Sequence, residues 1–434
     1  MNELTGQFPA DWELLRLPEV LFFQEGPGIT SDKFTKEGIP FINIRCFVNG
    51  RIDRSSCQFI SQKLGNGEYK HFQLDVNDWV FSSSGTIGKI ALIFDEDLPL
   101  LLNTSTIRFR TQDEKRLANN YIKFFLESFH FKIQHQLQTQ GSAQVNVGPT
   151  HLQKMHIPLP PIKEQTQIAT ILSTIDRAIE QTEALIAKQQ RIKTGLMQDL
   201  LTKGIDENGN IRSEETHEFK DSPLGRIPVE WEVESLDELT TKIGDGIHTT
   251  PAYSENTGFF FINGNNLGDG SIHITSDTLC VNQGEFRKYY IELDDRTILY
   301  SINGTIGNIA FYKNEPVVLG KSAAYIKCKK SVNARLIYHI LQSEPVHRFY
   351  DYELTGSTIK NLSLAAMRAT PIKIPRMQEE QEFLACRLDL CVYEIGQANN
   401  CLSKLRSLKT GLMQDLLTGK VRVTDLLNQK TAAN

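Results

Sequence analysis

The sequence contains no run of eighteen apolar residues, so no helix is expected to cross a membrane. Its start, Met1-Asn2-Glu3-Leu4-Thr5, lacks a basic segment leading into an apolar one. A secretory signal is not expected, and a cytoplasmic location is. The seven cysteines are scattered without C-x-x-C spacing. An odd, scattered set suits a reduced protein in which cysteines act as small hydrophobes. Ten histidines make no H-E-x-x-H, and His151 and His156 lack a further ligand at metal-binding spacing, so no metal site is expected.

Catalytic motifs are missing too. Gly85-Thr86-Ile87-Gly88-Lys89 falls short of a phosphate-cradling loop, which needs four residues between its glycines and Ser or Thr after the lysine. Ile90 follows here, and the second copy of the segment has Asn308 in place of the lysine. Gly320-Lys321-Ser322 has no upstream glycine at the required distance. There is no Asn/Asp-Pro-Pro-Tyr/Phe tetrapeptide for adenine methylation and no G-x-S-x-G elbow. Catalysis by this chain is not expected. The formal charge of −5 excludes a uniformly basic surface. A local basic patch would suffice for phosphate contact.

What is present is a repeat. Lys193 to Thr202 reads KTGLMQDLLT, and Lys409 to Thr418 reads the same ten letters. Pro9, Trp12 and Glu13 match Pro228, Trp231 and Glu232. Gly85-Thr86-Ile87-Gly88 matches Gly304-Thr305-Ile306-Gly307, Gly141-Ser142 matches Gly356-Ser357, and Glu164-Gln165 matches Glu380-Gln381. Each half carries the same elements in the same order. Copies this large are modules, not solenoid units. Two copies in one chain suit a target with two half-sites.

Each half opens with a mixed α/β pattern. Trp79-Val80-Phe81 and Ile90 to Phe94 read as strands, as do Thr297 to Tyr300 and Ile309 to Tyr312. A helix is expected over Leu117–Gln136, its counterpart near Ala334–Leu341 being interrupted at Pro345. Each half then closes with a heptad pattern. Ile168, Leu172, Ile175, Ile179, Thr182, Ile186 and Gln189 form one seam. Leu384, Leu388, Cys391, Ile395, Ala398, Leu402 and Leu405 form the other. Either helix would be on the order of 55 Å long. The expected fold is mixed α/β: two globular domains joined by two long antiparallel coiled-coil helices, with an internal two-fold repeat. Its parts are a first domain over 1–160, a helical spacer over 161–203 and a linker over 204–222. A second domain over 223–375, a second spacer over 376–419 and a tail over 420–434, expected to fray at least from Lys430 onward, follow.

These residues resemble the DNA-specificity subunits of type I restriction-modification systems. Phe8-Pro9-Ala10-Asp11-Trp12-Glu13 and Leu224 to Glu232 look like openings of target-recognition domains. Ile157 to Gln165, leading into a heptad helix that ends in Lys193 to Leu201, is similar to the family's helical spacer. The second junction, Ile372 to Gln381, lacks the proline pair and has one residue more. The resemblance covers nearly the whole chain, twice. It implies a bipartite double-stranded DNA target with a nonspecific spacer. It also implies two methyltransferase subunits, which carry S-adenosylmethionine, and restriction-translocation subunits. No cofactor is expected in this chain itself. Two other readings stay open: a coiled-coil scaffold that binds no DNA, and a divergent DNA methyltransferase with its own active site.

Differences between the halves select candidate base readers, since two half-sites would differ. Arg45 stands opposite Asn265, Ser84 opposite Asn303, and Lys89 opposite Asn308. Gln140, Gln144 and Asn146 flank the Gly-Ser turn of the first half, and Thr358, Lys360 and Asn361 that of the second. Arginine pairs with guanine and Asn or Gln with adenine in the major groove. Identity between the halves selects candidate partner contacts: Leu196, Met197 and Leu200, with Leu412, Met413 and Leu416.

Overall fold

The computed structural model describes residues 8–139, 146–354 and 360–432. The chain divides into two compact units, Met1–Glu183 with Asn400–Asn434, and Ala184–Asn399. The divisions fall inside the long helices and not at the module edges expected from the sequence. Each unit therefore holds one module, the start of the helix leaving it, and the end of the other helix.

In the first unit an antiparallel sheet orders Leu21–Glu25, Thr106–Thr111, Trp79–Ser82 and Ile90–Leu92. Successive side chains of a strand face opposite ways. Trp79 and Phe81 enter the main core with Ile107 and Phe109, and Val80 enters a second core with Ala91. The second unit repeats the order with Thr240–Asp245, Ala323–Cys328, Thr297–Ser301 and Ile309–Phe311. There Ile298 and Tyr300 face the main core while Leu299 faces the other.

The single helix expected over Leu117–Gln136 is two helices, Asn119–Glu127 and Phe129–Thr139. Ser128 breaks it with an extended backbone, and its hydroxyl donates to Phe125 O at 2.6 Å and accepts from Phe131 N at 3.1 Å. In the second unit, Ala334–Leu341 and Glu344–Glu353 are separated at Ser343, with Pro345 in the first turn of the new helix. Proline is accommodated there because the first turn's N–H groups have no intrahelical acceptor.

The heptad segments are the helices Ile162–Lys203 and Gln378–Leu416. Ile168 and Leu172 belong to the first module's core, and Leu384 and Leu388 to the second's. Within the first unit Glu183 pairs with Arg406 at 2.7 Å and Asp176 with Lys409 at 2.7 Å. In the second, Gln189 donates to Glu394 at 3.4 Å.

Both units are tied by the same three-residue knot. Trp12 Nε1 donates to Glu164, which also accepts from Arg422. Trp231 Nε1 donates to Glu380, which also accepts from Arg212. The glutamate lies in the first turn of the outgoing helix, and the arginine follows the end of the incoming one. Beside it, Gln165 bridges Ala118 N to Pro160 O, and Gln381 bridges Asn333 N to Pro375 O. The knots account for the repeated Trp and Glu-Gln.

These contacts also correct the expected linker and tail. Gly204 ends its helix at φ +63°, Ile205 and Arg212 are buried, and Phe219–Lys220 pairs with Ile227–Pro228. After Gly419, Val423 is buried and Thr424–Ala432 is helical. Polar composition hid both, because a few contacts, Arg212 with Glu380 and Arg422 with Glu164 beside one or two buried apolar residues, fix segments that are otherwise mostly solvated.

Candidate nucleic-acid interface

The strand Trp79–Ser82 ends in a turn closed by a hydroxyl. Ser82 Oγ donates to Thr86 O at 2.7 Å and accepts from Lys89 N at 2.9 Å. Gly85 and Gly88, at φ +67° and +97°, supply left-handed steps that glycine adopts without strain. Lys89 Nζ then donates to Ile44 O at 3.3 Å, latching the 3-10 turn Ile44–Cys46. Asn43 caps that turn through Arg45 N, and the Arg45 side chain is exposed. Val147 N donates to Ser83 O at 2.9 Å and so brings Asn146 beside Ser84. Ser84 and Asn146 line one cleft.

The second unit builds the same frame from different side chains. Ser301 Oγ donates to Thr305 O at 2.7 Å and accepts from Asn308 N at 2.7 Å. Asn308 Nδ2 takes the place of the lysine and donates to Gly264 O at 3.0 Å. Asn265 is exposed on that latched turn. Gly304 N donates to Lys360 O at 3.1 Å, and Asn303 Nδ2 to Asn361 Oδ1 at 3.2 Å.

Arg45, Ser84, Lys89 and Asn146 are thus gathered in the first unit, and Asn265, Asn303, Asn308, Lys360 and Asn361 in the second. Lys89 and Asn308 use polar groups to hold the frame. Gln140, Gln144 and Thr358 lie outside the described residues. Two acids were missed. Glu25 ends the first strand of its sheet and Asp245 the equivalent strand. Asp245 Oδ2 is 2.8 Å from His248 Nε2. Burial pushes the Glu25 carboxyl above its ordinary range. The signal was available in the repeat, as Glu25-Gly26 against Asp245-Gly246.

The six apolar side chains picked as partner contacts face inward. Leu200 and Leu416 are 2% and 3% exposed, and Leu196, Met197, Leu412 and Met413 pack partly buried on the same cores. The repeated decapeptide uses its apolar side to cover the module of its own unit. On the other side, Lys409 is held by Glu127 at 2.8 Å and Asp176 at 2.7 Å. Among the described residues no group of three or more His, Cys, Asp or Glu is placed to hold a metal ion, and no helix is long and apolar enough to cross a membrane.

The family model of the type I restriction modification DNA specificity domain matches residues 9–189 and again 228–395. This chain belongs to that family. As a DNA-specificity chain it has full-length relatives. It is 26% identical over 445 residues to the type I restriction enzyme MjaVIII specificity subunit of Methanocaldococcus jannaschii, covering 98% of this chain and 96% of the relative. It is 21% identical over 450 residues to the StySPI specificity subunit of Salmonella potsdam, covering 99% and 94%. Its fold matches the crystal structure of a type I restriction-modification S subunit from M. genitalium, at a TM-score of 0.59 and 16% identity, over 95% of this chain and 97% of that one. The two matched segments of the DNA-specificity family each include one of the latched loop frames.

Proposed function

We propose that this chain is a non-catalytic specificity subunit that reads a bipartite DNA target with a nonspecific spacer and scaffolds two methyltransferase subunits. The observation that carries the reading is sameness of frame with difference of tip. The same latched turn recurs in both units, presenting Arg45 in one and Asn265 in the other. Arginine suits guanine and asparagine suits adenine in the major groove, so such frames can read different half-sequences. Ser84, Lys89, Asn146, Asn303, Asn308, Lys360 and Asn361 act as a group with those tips, and Gln140, Gln144 and Thr358 are proposed as base readers from the sequence alone.

In this reading the long helices lie antiparallel as a coiled coil and set the half-site separation. The methyltransferase subunits hold S-adenosylmethionine and methylate adenine, and restriction-translocation subunits complete the enzyme. This chain holds no cofactor. The partner contact lies on the exposed sides of the repeated decapeptides, since their leucines and methionines are turned inward.

Methylome sequencing of cells carrying this chain with its methyltransferase, against a deletion control, tests the proposal. The expected result is one split motif of methylated adenines that disappears on deletion. Methylation at a single continuous motif, or unchanged methylation after deletion, would overturn it.

A further inference from the structure

Glu25 lines an open cleft of about 430 Å³ with Ser84, Thr104, Asn146 and His151. Gly26 sets it there, because the backbone passes so close to Asn103 that a Cβ on residue 26 would lie 2.4 Å from Asn103 N. Only glycine permits that approach. Partial burial pushes the Glu25 carboxyl up, and among the described residues no hydrogen bond or ion pair to it is formed. The carboxylate is only partly buried, so it keeps acceptor capacity facing the cleft that an incoming donor can fill.

A phosphate cannot be that donor, because it carries the same charge as the carboxylate. An exocyclic amino group of a base can, and cytosine N4 is the one that carboxylates accept from in the major groove. The second module sharpens the point. Gly246 makes the same close approach, with a Cβ 2.0 Å from Leu319 O, and so sets Asp245 at the equivalent position. There, however, His248 already lies 2.8 Å from the carboxylate. The two modules share the position of the acid, and among the described residues only the second places a partner on it. Such a position distinguishes one half-site from the other.

We propose that Glu25 is a specificity-determining residue of the first module, accepting a hydrogen bond from the N4 amino group of a cytosine in the first half-site. The inference rests on the reading that this module binds DNA.

The test is methylome sequencing with the complete enzyme carrying Glu25→Gln or Glu25→Ala. Glutamine favours adenine, so Glu25→Gln should shift one cytosine position of one half-site toward adenine. Glu25→Ala should weaken discrimination there by roughly 10- to 100-fold. The other half-site and the spacer should stay as they are, which also reports that the variants fold and assemble. An unchanged preference throughout both half-sites in both variants would overturn the role of Glu25 while leaving the split-motif reading intact. Absence of a split motif in the unmodified enzyme would instead sink the underlying reading. If both variants lose methylation entirely, competition binding of the assembled enzyme to duplexes carrying each base decides. Equal weakening for all four bases counts against the proposal, and loss of the cytosine preference supports it.

Discussion

Arg212 places two guanidinium nitrogens on the carboxylate of Glu380, at 2.6 and 3.1 Å, across 168 residues of chain. Arg422 does the same for Glu164 across 258 residues. The first pair is the more enclosed, with side chains 9% and 8% exposed, whereas Arg422 is 26% exposed and shares Asp11. Removing one partner of a buried pair leaves an uncompensated charge, at about 3–5 kcal/mol. Arg212→Ala should therefore destabilise the second unit by that order and Arg422→Ala the first unit by less. Urea unfolding, with hydrogen exchange to locate the loss, checks both the size and the place.

Leu416 and Leu200 occupy the same letter of the repeated decapeptide but belong to different cores. Leucine-to-alanine changes in cores cost about 2–5 kcal/mol. Leu416→Ala is expected to loosen the module built from residues 8–160, nearly the whole chain away, and Leu200→Ala the module that follows it. Hydrogen exchange would show protection lost in the opposite places if each helix end served the repeat that contains it.

Lys89 and Asn308 each span two loop segments with one hydrogen bond. A typical bond of this kind contributes about 0.5–1.5 kcal/mol to stability. Lys89→Ala should barely move the unfolding midpoint, yet it frees the turn that carries Arg45. The expected outcome is relaxed recognition in one half-site, and Asn308→Ala should relax the other. Binding of the assembled enzyme to half-site variants measures this.

Burial pushes the imidazole of His130 down to about 4, outweighing a hydrogen bond with the His156 backbone that acts the other way. In the unfolded chain the group titrates near 6.5. Between those values the unfolded state binds a proton that the folded state refuses, so stability falls as pH drops through the window. Its contribution is fully present above 6.5. The steepest slope is about 1.4 kcal/mol per pH unit. His130→Phe, beside Phe8, should flatten the dependence of the urea midpoint on pH between 4 and 7. An unaltered slope in the variant would assign the dependence to other groups.

Much of this was readable in the residues. The repeat announced two modules, and the pairing of Trp79–Ser82 with Ile90–Leu92 follows from two apolar runs joined by a glycine turn. Heptad spacing located both long helices. The break at Ser128 escaped because the apolar period runs through it, and only a serine that bonds to its own backbone interrupts it. The knots escaped because Glu164 and Arg422 are 258 residues apart, and no local pattern joins them. The direction faced by Leu196 and Leu412 escaped for another reason. Two identical apolar stripes fit two identical partners and two similar cores equally well.

The choice between those fits matters for how such chains can change. The first module rests on Lys409 to Thr418 and the second on Lys193 to Thr202, ten identical letters. Each reading head therefore sits in the same socket, whichever half of the chain provides it. A foreign head whose underside fits that socket could be installed in either place without redesigning the seat. The decapeptide acts as a connector standard, and new DNA addresses could be composed by exchanging heads while the frame beneath them stays constant.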